Sequence, residues 1–234
     1  MKIGKLTLGN TPKIAAVIVD GEDKKAISAA KRDGADLLEL RIDCFKKRDA
    51  LYIQKIIKDI KAVNLPVIAT IRSKVEGGKA AISDNARLGL FETIIPFVDA
   101  VDIELSSRQI LKDIISQAHR FNKKVLVSYH NFKNTPEQKK LEAIIKNSKK
   151  AGSDIVKIAT FARDKKDIIR LASLTVSHEN IITIAMGRLG TLSRILFPML
   201  GSLITYCSVT KSSAPGQISL NDSKMLLEIL KEAY

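Results

Sequence analysis

Cysteine is scarce in this chain of 234 residues. Cys44 and Cys207 show no metal-ligand spacing, and two thiols make no disulfide framework, so a reducing cytoplasm is the expected compartment. Long apolar runs are also lacking. The opening MKIGKLTLGN has no continuous apolar stretch of the secretory kind. The weakly charged segment 195–209 is broken by Pro198, Gly201 and Ser202 and is too short to span a bilayer. No membrane partner is expected. A glycine-rich dinucleotide fingerprint is missing after the first strand candidate, where Val19-Asp20-Gly21-Glu22 reads as an ordinary turn, and Gly187 and Gly190 match no phosphate-loop spacing. Only three histidines occur; His119 and His178 fall on or just after helical segments and suit the surface, which leaves His130 as the one in a strand.

Basic residues are abundant. Lysine and arginine total 39 against 25 acids, for a net charge of +14, which raises the question of a nucleic acid or membrane surface as partner. The lysines are dispersed as pairs near helix ends, however, such as Lys46-Lys47, Lys123-Lys124 and Lys149-Lys150. Solvated helix faces account for that pattern, and the excess field would draw in small anionic substrates. No nucleic-acid partner is expected.

Apolar residues make up 45% of the chain and charged residues 27%, enough for a large core. Short runs rich in Val, Ile and Leu fall at residues 14–19, 37–42, 67–71, 101–105, 125–129, 155–159, 181–186 and 203–209. Between and after them, helical spacing of apolar residues covers 23–32, 49–63, 85–97, 108–121, 136–150, 165–177, 191–196 and 222–232. Eight βα units favour a closed (β/α)8 TIM barrel over a doubly wound sheet. The length suits one catalytic domain over residues 1–234. Thr135 before Pro136 predicts a helix start, Gly34 and Gly152 predict stops. Residues 5–8 alternate and are expected to pair with 13–17 as a hairpin that covers the barrel bottom.

Chemistry in such a barrel gathers at the C-terminal ends of the strands, on side chains that point inward at every second residue. In DLLELRID, Leu37, Glu39, Arg41 and Asp43 share the inward face. Arg72 ends the third strand, and Ser128 and His130 come together on the fifth. Lys157 lies mid-strand in DIVKIAT. Burial disfavours a lysine cation, and a neutral amine attacks a ketone to give an imine, which then draws electrons from the adjacent carbon. The bland alternative pairs Lys157 with an inward carboxylate, Glu39 or Glu104. An amine beside an imidazole, with an acid and two arginines, suits a polar anionic carbonyl substrate. After the seventh strand AMGRLGTLSR supplies Arg194, and KSSAPGQ after the eighth has the composition of a closing lid.

These residues fall into motifs: ELRID from Glu39, ATIR ending at Arg72, EGG starting at Glu76, SYHNF with His130, VKIA with Lys157, AMGRLGTLSR ending at Arg194, and SSAPGQ ending at Gln217. In this order they resemble type I 3-dehydroquinate dehydratases over essentially the whole chain. The resemblance implies that Lys157 forms an imine with the C3 ketone of 3-dehydroquinate, that His130 is the general acid-base, and that Glu76 assists it. It implies that Glu39, Arg41 and Arg72 hold the ring hydroxyls, that Arg194, Ser213 and Gln217 form the carboxylate clamp and lid, and that no cofactor takes part. It also implies a shikimate-pathway enzyme that is a homodimer and, with no room for a fused shikimate dehydrogenase, monofunctional. Two rival readings share part of the pattern. Another imine-forming barrel lyase or aldolase would share Lys157 but needs no such clamp and lid, and a basic nucleic-acid-binding module leaves Glu39 and Lys157 unexplained.

Overall fold

A computed structural model describes residues 1–20, 24–209 and 216–232 of the chain. It opens with two short strands, β1 (Lys2–Ile3) and β2 (Leu6–Thr7), then alternates β3 (Lys13–Ile18), α1 (Lys24–Arg32), β4 (Leu37–Arg41), α2 (Ala50–Ala62), β5 (Val67–Thr70) and α3 (Asp84–Ile94). It continues with β6 (Ala100–Glu104), α4 (Arg108–Arg120), β7 (Lys124–Asn131), α5 (Gln138–Ala151), β8 (Ile155–Phe161), α6 (Lys165–Ser177), β9 (Ile181–Met186), α7 (Ser193–Met199), β10 (Ile204–Ser208) and α8 (Leu220–Glu232). Strands β3 to β10 form one parallel sheet in the order β10-β3-β4-β5-β6-β7-β8-β9. At the last seam Leu203 N–H donates to the Ile181 carbonyl at 3.0 Å and Thr183 N–H donates to Ser202 Oγ at 3.1 Å. This is the TIM barrel that the eight βα units foretold.

Alternation along each strand divides the core into two layers. Outward residues such as Leu38, Leu40, Val101, Ile103, Val125 and Val127 pack against buried helix stripes such as Ile53, Ile57 and Ile60 of α2 or Ile110, Ile114 and Ala118 of α4. Inward residues Ala15, Val17, Leu37, Ile68, Ala100, Leu126, Ile155 and Ile182 fill the barrel itself. Each fully buried Ile or Leu contributes about 1.5–3 kcal/mol. Caps fix the helix starts: Asp49 accepts from Tyr52 N–H at 3.0 Å and Asp164 from Asp167 N–H at 3.1 Å. Gly34 and Gly152 follow α1 and α5 as the expected stops, with φ of 100° and 104°.

Two local expectations are corrected. The N-terminal hairpin pairs β2 with β1, Ile3 opposite Leu6, and not with residues 13–17, which belong to the barrel as β3. A type of turn that admits Gly4 at φ 55° folds the ribbon back on itself, so Ile3 and Leu8 are buried with Leu37, Ala100, Ile155 and Leu203 under the strand starts. The barrel bottom is covered, as expected, by a different pairing. Thr135 does not cap α5, whose N-cap is Glu137. Its hydroxyl instead bonds Thr160 Oγ1 at 2.9 Å and the Phe161 carbonyl at 3.1 Å, because the loop packs onto β8 and the buried hydroxyl needs a partner there.

Candidate active site

At the C-terminal ends of the strands lies a cavity of about 250 Å³, lined by Glu39, Arg41, Arg72, Glu76, His130, Lys157, Arg194 and Gln217, with Tyr206, Met186 and Phe132 among its apolar walls. Eight of the nine sequence-expected site residues therefore share one chamber. The ninth, Ser213, lies outside the described residues, as does most of the expected lid.

Lys157 is buried, and its Nζ lies 2.9 Å from Asp102 Oδ2 and 3.2 Å from Glu39 Oε1. Burial, the ground on which the strand pattern favoured a neutral amine, is met here by two opposite charges. The bland alternative, a pairing with an inward carboxylate, is thus realised at Glu39, and Asp102 is a second such partner. Thr70 steadies Glu39 by donating to Oε1 at 2.9 Å. The Tyr206 ring lies under the ammonium, 3.9 Å from Nζ to its centroid, a cation–π contact.

Asp102 was not foreseen as part of the site. It accepts from Lys157, from Ser128 Oγ at 2.6 Å and from Arg72 Nη2 at 2.9 Å. Burial pushes its carboxyl up, but Arg72 and Lys157 outweigh that and hold it well below the usual range. Arg72 has two further acceptors: Nη1 donates to Glu104 Oε1 and to Ser128 Oγ, both at 2.7 Å. Arg41 forks onto Asp43 through two bonds of 2.9 Å, and Asp43 also accepts from the backbone N–H groups of Arg72 and Lys79. That carboxylate ties the end of β4 to the loop after β5.

His130 stands two register positions beyond Lys157, on the same face, since Ser128 pairs with Lys157 and His130 with Ala159. Burial, then the nearby cations Arg72 and Lys157, hold its pKa well below the ordinary value, so the ring is neutral at neutral pH. Nδ1 lies 3.0 Å from Glu76 Oε2, which also accepts from His130 N–H at 2.8 Å. With Glu76 ionised, Nδ1 carries the proton and Nε2 has the free lone pair. Glu76 itself is buried, which pushes its carboxyl up to about 7 despite the donors Ser106 Oγ and His130 N–H.

The EGG motif explains how Glu76 reaches inward. Gly77 has φ 89°, and a Cβ there would meet the Phe132 ring at 2.5 Å; a Cβ on Gly78 would meet the Arg72 carbonyl at 2.2 Å. Only glycine allows both the turn and the close approach. Arg194, on α7, is buried, which brings its guanidinium down to about 10. Among the described residues no three His, Cys, Asp or Glu side chains come together to hold a metal ion, and no helix is long and apolar enough to cross a membrane.

The model of type I 3-dehydroquinase matches residues 17–234. The chain belongs to that family. It is 40% identical over 231 residues to a 3-dehydroquinate dehydratase of Thermodesulfovibrio yellowstonii, covering 96% of this chain and 98% of the relative. To that of Methanococcoides burtonii it is 35% identical over 233 residues, 99% of this chain and 100% of the relative. The crystal structure of 3-dehydroquinate dehydratase from Geobacillus kaustophilus superposes with a TM-score of 0.91 at 30% identity, over 99% of this chain and 96% of that one. As a type I 3-dehydroquinase the chain is a hydro-lyase.

Proposed function

We propose that Lys157 is the amine through which this type I 3-dehydroquinase removes water from 3-dehydroquinate, giving 3-dehydroshikimate in the shikimate pathway. The observation that carries the reading is a buried strand lysine inside a cavity, with a neutral imidazole on the adjacent strand. Lys157 Nζ, once deprotonated, attacks the C3 ketone, and loss of water leaves a protonated imine. That cation keeps the place of the ammonium between Asp102 and Glu39 and over Tyr206. His130 Nε2 takes a proton from C2, the imine accepts the electron pair as an enamine, and the protonated ring gives its proton to the departing C1 hydroxyl. Hydrolysis of the conjugated imine frees the product and restores the amine.

Glu76 serves as the orienting partner of His130, fixing the proton on Nδ1. Glu39, Arg41 and Arg72 hold the ring hydroxyls, and Arg194, Gln217 and Ser213 hold the carboxylate. Arg72, tied to three acceptors, acts as a fixed donor wall rather than as a free clamp. All of these steps use side chains of the chain itself, without a cofactor. We read residues 1–234 as one catalytic unit that works in the cytoplasm on a small molecule and binds neither nucleic acid nor membrane. A homodimer, implied by the family resemblance, is tested by sedimentation equilibrium.

Incubation with 3-dehydroquinate, followed by the absorbance of the conjugated enone, tests substrate and reaction together. Borohydride added during turnover should fix the reduced ligand on Lys157, which peptide mass mapping locates. Label on another lysine, or none from an active preparation, rejects the assignment.

A further inference from the structure

Seven buried or half-buried charges of strictly alternating sign run through the molecule from α3 to the imine-forming position. Asp84 holds Arg87 at 2.8 Å, Arg87 Nη2 holds Glu104 Oε2, and Glu104 holds Arg72 at 2.7 Å. Arg72 then holds Asp102 at 2.9 Å, Asp102 holds Lys157 at 2.9 Å, and Lys157 ends on Glu39 at 3.2 Å. Arg87 is the largest side chain that the core buries completely. It touches neither the cavity nor Lys157.

Its placement runs against the ordinary cost of burying a guanidinium far from water. Every polar group of the fork is occupied: Nε donates to the Ile71 carbonyl at 2.9 Å, Nη1 to Ser107 Oγ and Asp84 Oδ1, both at 2.8 Å, and Nη2 to Glu104. Arg87 thereby binds the end of β5, the start of α4 and the inward carboxylate of β6 into one unit. Glu104 has two oxygens, and Arg87 claims Oε2 together with Ser107 Oγ at 2.7 Å. Oε1 is left aimed at Arg72 Nη1 and at Ser73 N–H, 3.0 Å away. Without Arg87, Oε2 keeps only the Ser107 hydroxyl, and the carboxylate that turns Arg72 toward Asp102 loses its charged partner on that side.

We propose that Arg87 is a positioning residue for the dehydration, setting the direction of the Lys157 amine through Glu104, Arg72 and Asp102. The proposal rests on Lys157 being the imine-forming amine. A carboxylate turned by a fraction of its width moves the next partner by a similar distance, and misplacing a nucleophile by about 1 Å from a remote change costs about 10²-fold in rate. Arg87 itself lines no part of the cavity, so the larger effect should fall on the amine's step and not on affinity.

The test compares the parental chain with R87M and R87K by the rate of borohydride trapping on Lys157 at saturating 3-dehydroquinate, and by KM. Folding is checked by thermal unfolding. R87M should slow trapping and kcat about 10²-fold, with a much smaller change in KM. R87K restores a cation without the fork and should fall between R87M and the parent, again with the effect on kcat exceeding that on KM. If R87M does not fold, R87K decides on the same terms. A folded R87M that traps at the parental rate, an R87K with parental kcat, or a loss that appears in KM as strongly as in kcat overturns the proposal. Failure of the underlying mechanism looks different, because the parental chain itself would then carry no label on Lys157.

Discussion

Asp102 and Lys157 meet across an intervening strand: β7 separates β6 from β8, yet Oδ2 and Nζ are 2.9 Å apart inside the barrel. The carboxylate also accepts from Arg72 and Ser128, so it is the node at which three strands are joined by charge. Asp102→Asn keeps the shape but has one acceptor where three donors arrive. Removing one member of a buried ion pair costs about 3–5 kcal/mol. Urea unfolding should show a loss of that order, and an unchanged midpoint would mean that the node carries no stability.

Lys157 and His130 should fail at different steps. Lys157→Ala has no amine and should give no covalent adduct, while still binding substrate through the remaining cavity residues. His130→Ala keeps the amine, forms the imine and then stalls, with turnover down about 10²–10⁴-fold. Intact-protein mass spectrometry with borohydride measures the trapped ligand on each. A folded His130→Ala with near-parental turnover would make His130 structural.

Glu76 gives the fold a distinctive pH response. Its carboxyl stands at about 7 against an ordinary 4.5, so the folded chain binds that proton more tightly than the unfolded one. The stabilisation is complete below about pH 4.5 and is lost as pH rises through 7, a swing of about 3 kcal/mol at about 1.4 kcal/mol per pKa unit. His130 works in the opposite direction, since its lowered pKa costs stability as pH falls below about 6.5. Comparing the parental chain with Glu76→Gln isolates the first effect. The parental stability minus that of the variant should decline between pH 4.5 and 7.5 in urea titrations, and a constant difference would contradict it.

Arg194 is buried in the cavity wall, whereas Lys47 pairs with Asp49 on the surface at 3.7 Å. A charge-assisted bond to a substrate carboxylate contributes about 1.5–3 kcal/mol when desolvated. Arg194→Ala should therefore raise KM about 10–100-fold, with Lys47→Ala neutral. An analogue without the carboxylate should not distinguish Arg194→Ala from the parent. Equal effects of the two substitutions on KM would remove Arg194 from the carboxylate site.

Alternation alone carried much of the architecture. Period-two spacing in LLELR and IVKIATF separates the residues that face the barrel from those that face the helices, and the same rule brought Glu39 and Lys157 to one chamber. Applied to AVDIE it would have placed Asp102 there too, since Ala100, Asp102 and Glu104 share the inward face. The signal was present, but an aspartate within an ordinary apolar run draws less notice than a lysine. Arg87 had a signal of a different period: it heads the stripe Arg87, Phe91 and Ile94, the buried residues of α3. What spacing could not supply was the pairing of those charges, which depends on strands that lie far apart in the chain. The role of Thr135 depends likewise on a tertiary contact that overrides a local preference, whereas the hairpin β1-β2 follows a tight turn at Gly4 that alternation does not reveal.

The ribbon that carries Ile3 and Leu8 has a consequence for traffic. With the strand starts sealed by those side chains, the chamber among the described residues is a blind one, open only where the strands end. Substrate, product and the eliminated water share a single doorway, so each turnover must clear the threshold before the next arrival, and product should act as a competitive inhibitor.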